Sequence, residues 1–227
     1  MASPLDNLQP VNEDMRDRMV QFELDCNDGK GNAYACHSVA EFHAVINDDH
    51  ARAAAVLAKN CDGNNKYGAS CFKLGRLLLA GRGVEANDAK AMARFEQACN
   101  SGISQGCYHL GMMLLEGTVK KDPPRAMACF DKACTEGDAE SCFHVGQRWL
   151  APGGPGHGLG ARDPAKALAP LEVACGHGHA PSCRLLAVLF KNGDGPVAPD
   201  AAKFEMYKKH TEELVMQRGA QMGVRVT

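Results

Sequence analysis

The chain contains no uninterrupted apolar run of about 18 residues, so no membrane-spanning helix is expected. It also lacks an excess of charge of either sign. With 25 basic and 27 acidic residues and a net charge of −2, nothing in it would draw nucleic acid or an anionic membrane surface. The first ten residues, Met1 to Pro10, carry neither a basic cap nor an apolar core, and so resemble neither a secretory signal nor an arginine-rich transit peptide. Two redox motifs are missing as well: the Cys-x-x-Cys-His of haem attachment and the Cys-x-x-Cys of thioredoxin-like enzymes.

Cysteine itself is plentiful. Ten of the 11 cysteines fall into local pairs: Cys26 with Cys36, Cys61 with Cys71, Cys99 with Cys107, Cys134 with Cys142, and Cys175 with Cys183. The eleventh, Cys129, is left over as a thiol. Successive first cysteines lie 35, 38, 35 and 41 residues apart, and second cysteines 35, 36, 35 and 41. A period near 35 is the signature of a helical repeat array. The longest interval has a visible cause in the glycine- and proline-rich stretch 151–160, which cannot continue a helix. The 227 residues, 45% apolar, are therefore expected to form a single all-α domain, an α-solenoid. Its array of about five units runs over 11–217, with flexible tails at 1–10 and 218–227.

Each unit reads as two helices. One starts at a carboxylate suited to cap it (Asp88, Asp122, Asp163), continues through strong helix formers and ends at the first cysteine. Pro123 and Pro164 take the first helical position, where a missing N–H is harmless, whereas Pro170 is expected to kink its helix. Gly102, Gly137 and Gly178, three residues past the cysteine, can take the left-handed conformation that ends a helix. The partner helix begins at the second cysteine and carries a glycine four residues on: Gly75, Gly111, Gly146. A glycine there costs about 1 kcal/mol relative to alanine. The expectation is that it lets the helix across the cysteine pair come close, with Ala98, Ala133 and Ala174 doing the same from the other side. At the ends, Val11 to Asp25 reads as a leading helix, Ala35 to Ile46 with His50 to Asn60 as a degenerate first unit, and Ala180 to Lys191 with Asp200 to Gln217 as a capping hairpin.

Structural disulfides, zinc sites and reduced core cysteines are the rival readings of the pairs. Disulfides are preferred, because five local pairs at hairpin spacing are what a brace requires, while tetrahedral zinc needs further ligands to converge. Cys175-Gly-His177-Gly-His179-Ala-Pro-Ser-Cys183 holds two histidines between two cysteines and is the one stretch resembling a metal clip, though loop residues at a solvated hairpin are the plainer account. His109 and His144 each follow a second cysteine by two positions and are expected on one face of the array, lining a surface or interface. Cys129 reads as a small buried apolar residue, with a reactive thiol as the rival. Ser70-Cys71-Phe72-Lys73 matches the Ser-x-x-Lys of serine β-lactamases. It is discounted because Ser141 and Ser182 fill the same slot without a lysine, and because neither Ser-Asp-Asn nor Lys-Thr-Gly occurs. No catalytic, cofactor or metal residue is assigned.

Paired cysteines point to an oxidising compartment, and the absent signal to a cytosolic start. The mitochondrial intermembrane space, which traps small cysteine-rich proteins by oxidising them, reconciles the two. The pattern Cys-x-x-Leu-Gly, Gly-x-Gly-Val, Asp-x-x-Lys-Ala, Ala-Cys, fullest in Cys71 to Cys99, resembles Sel1-like repeats, and the likeness covers roughly 20–215. Within that family it is most similar to cysteine-rich members of the intermembrane space, through Asn60-Cys61, Ser70-Cys71-Phe72-Lys73-Leu74-Gly75 and the wider N-terminal pair. The resemblance implies a right-handed superhelix of disulfide-braced antiparallel hairpins that serves assembly of respiratory complex IV (cytochrome c oxidase). Such a scaffold would bind complex IV subunits or copper chaperones on its concave face. It also brings in haem binding and a thiol-disulfide reductase role. Tyr108 rather than histidine follows the second central cysteine, and Leu115 stands one to two turns on, so no haem ligand is carried over. A generic Sel1-type adaptor with all cysteines reduced is the further alternative.

Overall fold

The helices start where a side chain can hold the free amides of the first turn. Asp122 accepts from the Arg125 amide at 3.1 Å and Asp163 from that of Lys166 at 3.4 Å, each followed by proline. In the preceding unit the cap is one residue earlier than the sequence implied: Asn87 accepts from the Lys90 amide at 2.9 Å, and Asp88 is the first helical residue. Asn87 has the extended backbone a cap needs, and the acid stays in the first turn, where the helix dipole favours it.

The computed structural model describes residues 13–62, 66–151 and 162–221. Among these are eleven α-helices, a short 3₁₀ turn (Asn27–Gly29) and no strand beyond the single bridge between Asp194 and Val197. No described helix is long and apolar enough to cross a membrane. The architecture is the all-α helix-hairpin solenoid expected from the period. The stretches 1–10 and 152–160 lie outside the described residues, whereas 218–221, expected as tail, continue the last helix.

Two compact units divide the chain, 1–103 and 104–227. The first holds α1 (Glu13–Cys26), α2 (Ala33–Val45), α3 (His50–Asp62), α4 (Gly68–Ala80) and α5 (Asp88–Asn100). Cys26–Cys36 ties α1 to α2 with Cα atoms 4.6 Å apart, and Cys61–Cys71 ties α3 to α4 at 4.9 Å. The wider spacing of the first pair accommodates the 3₁₀ turn, in which Asn27 and Asp28 take positive φ. Met19, Val39, Leu57, Leu74 and the fully buried Phe95 form its interior.

The second unit holds α6 (Ser104–Glu116), α7 (Pro123–Thr135), α8 (Ala139–Leu150), α9 (Pro164–Gly176), α10 (Ala180–Asn192) and α11 (Ala201–Gln221). Cys134–Cys142 joins α7 to α8 and Cys175–Cys183 joins α9 to α10, with Cα atoms 4.6 and 4.9 Å apart. Between the members of each pair a single left-handed glycine, Gly137 (φ +85°) or Gly178 (φ +81°), turns the chain, so eight residues suffice. Cys99, near the end of α5, and Cys107, in α6, are disulfide-bonded too. α9 runs unbroken through Pro170. α11 buries none of its residues completely. It caps the unit by laying half-buried Phe204, Tyr207 and Leu214 on the α9–α10 core of Leu171, Leu186 and Phe190.

The glycine four residues past the second cysteine has a different purpose from the one expected. A Cβ at Gly111 would stand 2.7 Å from the Phe130 ring of α7, one at Gly75 2.8 Å from Phe95 of α5, and one at Gly146 2.5 Å from Leu171 of α9. The neighbour is thus the following helix, not the helix across the disulfide. Each glycine is the socket for a large buried side chain four residues before the next first cysteine. Glycine is retained in mid-helix because the ring it admits buries more apolar surface than a methyl group would contribute.

Candidate interaction face

Residues one and two positions past the second cysteines project from the first turns of their helices. In the second unit they form a run of rings. Tyr108 of α6 lies 5.5 Å from His109 and 6.1 Å from His144 of α8, centroid to centroid. His144 stacks on Phe130 at 4.7 Å and 15° and neighbours Phe143 at 6.1 Å. Phe143 in turn meets His179, the residue preceding α10, at 4.7 Å. Tyr108 is thus a ring that His109 and His144 both neighbour. Phe143 was not singled out from the sequence, Tyr108 only as a residue standing where a haem ligand would be, and His179 only as part of a metal-clip stretch. The available signal was an aromatic one past the second cysteine in three consecutive repeats: Phe72, Tyr108, Phe143.

Acidic groups border the face. Glu140 Oε2 is 3.4 Å from His179 Nε2, and His179 Nδ1 pairs with the Ser182 hydroxyl at 2.8 Å. Burial lowers the His144 pKa from its ordinary value, partly opposed by the charges of Glu140 and Asp138, so near neutral pH the ring is uncharged. Burial, with Glu140, Asp138 and Glu116 nearby, raises the Tyr108 phenol, which stays protonated. Half-buried aromatic rings edged by carboxylates have the composition of a protein-binding surface.

Other candidates are accounted for structurally. The Ser70 hydroxyl is fully buried, accepts from Asn60 Nδ2 at 2.8 Å and pairs with His37 Nδ1 at 3.1 Å, while Lys73 Nζ is held by Glu41 at 2.6 Å. The serine and lysine of that motif therefore serve separate contacts. The Cys129 thiol is only 8% exposed, in keeping with its reading as a small buried residue. Of the two histidines between Cys175 and Cys183, His177 is exposed with its ring against Gly137, and His179 belongs to the aromatic face. The imidazole that does reach this cysteine pair is His210 of α11.

The first unit offers a groove of about 390 Å³ lined by Met15, Met19, Phe22, Phe42 and Val45. It also carries a two-point contact between the Arg94 guanidinium and the Asp62 carboxylate, beside Cys61.

The Sel1 repeat family matches residues 68–103, 104–138 and 180–203. In that frame a repeat is α4 with α5, or α6 with α7. Cys134–Cys142 therefore ties the end of one repeat to the helix that follows it, rather than the two helices of one repeat. Among curated proteins, cytochrome c oxidase assembly factor 7 of Xenopus tropicalis is 32% identical over 124 residues, 53% of this chain and 53% of that protein. The Drosophila melanogaster homolog is 27% identical over 125 residues, 54% of this chain and 46% of that one. An Arabidopsis thaliana protein, the ERAD-associated E3 ubiquitin-protein ligase component HRD3B, is 36% identical over 99 residues, 41% of this chain and 15% of that one. The chain spans about half the length of the assembly factors it matches. Among solved structures, a Sel1 repeat protein from Oxalobacter formigenes superposes with a TM-score of 0.75 at 17% identity, covering 88% of this chain and 83% of that one. A protective antigen of uropathogenic Escherichia coli with an SLR fold gives 0.73 at 23%, covering 86% and 41%. This chain thus contains three segments that match the Sel1 repeat, on a fold similar to those of solved Sel1-repeat structures.

Proposed function

We propose that this protein is a scaffold for the assembly of respiratory complex IV, working by protein–protein binding in the mitochondrial intermembrane space. The observation that carries the reading is the similarity, at about 30% identity over half the chain, to cytochrome c oxidase assembly factor 7 of frog, fly and human. The disulfides support the compartment, since such bonds persist where thiols are oxidised. The run Tyr108, His144, Phe143, His179 supplies the binding face. The match to HRD3B favours a broader second reading, a repeat adaptor for other protein assemblies. The reductase alternative would use Cys129 or one of the braced cysteine pairs, and burial of the Cys129 thiol weighs against the first of these.

The test is affinity purification of the tagged full-length protein from mitochondria, wild type beside Tyr108→Ala/His144→Ala. Recovery of oxidase subunits or copper chaperones by wild type, reduced about tenfold in the double variant, is the expected result, since buried aromatic anchors commonly contribute 1–2 kcal/mol or more each. Failure of wild type to recover either would refute the complex IV role. Equal recovery by the variant would exclude this face.

A further inference from the structure

We propose that Cys175, Cys183 and His210 form a redox-gated binding site for Zn²⁺, closed while the disulfide is intact and opened when it is reduced. Among the described residues, these three make up the one group of three or more potential ligands whose donor atoms all lie within 4.8 Å of one another. Two sulfurs and an imidazole nitrogen are the donor set that zinc prefers, at about 2.3 Å to sulfur and 2.0 Å to nitrogen, which places ligand atoms roughly 3.5 Å from one another. The imidazole is therefore already close enough to share a zinc ion with either sulfur after a shift of about 1.3 Å or less, and the sulfurs, bonded to each other, must part. The proposal is independent of the role in complex IV assembly.

The third ligand is held in place by the cap rather than by the hairpin. Tyr207, one turn before His210, stacks on Phe190 at 5.8 Å and 10° and donates to Glu172 Oε1 at 3.1 Å. Burial and that carboxylate push its phenol up to about 12, so it remains a donor. Leu214, one turn after His210, lies 3.7 Å from where a Cβ on Gly178 would stand, against the turn between the two cysteines. With anchors on both sides, the His210 ring faces the closed end of the α9–α10 hairpin. Glu213 Oε2, 3.9 Å from His210 Nδ1, is the kind of carboxylate partner that orients metal-bound imidazoles. The His210 side chain is 42% exposed, leaving an approach from solvent and room for water as a fourth ligand. The turn can give way, because Gly176 has open space around it and Gly178 is already left-handed.

The step balances as follows. A dithiol reductant supplies two electrons and two protons, breaking the Sγ–Sγ bond to give two thiols and closing its own two sulfurs into a disulfide. Zinc then binds both sulfurs as thiolates, displacing two protons, together with one nitrogen of His210.

The test uses full-length protein reduced anaerobically with a dithiol that is then removed. Zn²⁺ is titrated against a chromophoric chelator, and Co²⁺ is used as a spectroscopic probe. Wild type, His210→Ala, His177→Ala and Cys175→Ser/Cys183→Ser are compared, so that zinc taken up by the other reduced pairs is common to all. The expected result is one Zn²⁺ more per reduced wild-type chain than per double-serine chain, with a thiolate-to-cobalt absorption band. Affinity should fall about tenfold or more in His210→Ala and be unchanged in His177→Ala, and the oxidised chain should take up none. Should reduction melt the helices, zinc is expected to restore helical circular dichroism in wild type but not in His210→Ala. The proposal is overturned if His210→Ala matches wild type in affinity or in recovery of structure, or if the double-serine variant retains the extra ion.

Discussion

Ser70 and Ser141 occupy the same slot, one residue before a second cysteine, and both are fully buried, yet they are not equivalent. The Ser70 hydroxyl accepts from Asn60 and pairs with His37, whereas Ser141 Oγ has no hydrogen-bond partner among the described residues. Removing a satisfied buried group strands its partner; removing an unsatisfied one strands nothing. Ser70→Ala is expected to cost about 1–2 kcal/mol in urea unfolding, and Ser141→Ala to be neutral within about 0.5 kcal/mol or stabilising. His144 gives a pH-dependent prediction. Burial lowers its pKa in the folded chain below the unfolded value near 6.5, with Glu140, Asp138 and His179 the charged groups acting on it. As pH falls through that value, the unfolded chain takes up the proton first, so stability is intact above about pH 6.5 and declines below it. His37 and His43 are lowered for the same main reason and add to the trend. Denaturant midpoints measured between about pH 7.5 and 5 are expected to fall with acidification, less steeply in His144→Phe.

At the scale of the element, the repeated mid-helix glycine separates propensity from packing. Gly111→Ala should gain about 1 kcal/mol of helix propensity, but its Cβ would stand 2.7 Å from the ring of Phe130, which is fully buried and cannot retreat. Overpacking of this sort costs about 1–3 kcal/mol, so a net loss is expected. Combining it with Phe130→Leu should recover part of that loss, since the two substitutions share one contact. Gly176→Ala is the contrast: nothing lies within 4 Å of its Cβ position and its backbone is helical, so the unfolding free energy should rise by up to about 1 kcal/mol and thermal melting should shift upward.

Over the whole molecule, stability rests on short covalent loops as well as on burial. A disulfide closing about nine residues stabilises by about 2.5 kcal/mol on the chain-entropy account. Cys134→Ser/Cys142→Ser is expected to lower the unfolding free energy by about that amount, read from equilibrium denaturation. Alkylation followed by mass spectrometry measures the redox state directly. Ten cysteines are disulfide-bonded and the Cys129 thiol is buried. The expected labels are therefore none in the native oxidised chain, one after denaturation and eleven after reduction. Eleven without reductant would refute the braced fold and leave the reduced adaptor.

Local regularities were legible in the sequence because they depend on near neighbours. The cysteine period set the number and order of hairpins. Asp122 and Asp163 marked helix starts, and glycines three residues past a cysteine marked the left-handed turns. What the sequence could not decide were contacts between residues brought together only by packing. Gly111 proved to be the socket for Phe130 on the following helix, because spacing fixes which side of a helix a residue is on but not which neighbour covers it. The third potential ligand beside Cys175 and Cys183 was sought in the intervening loop, and the fold supplied it from His210, 27 residues beyond Cys183 on the capping helix. Periodicity thus determined the solenoid, and tertiary packing alone decided which side chains converge.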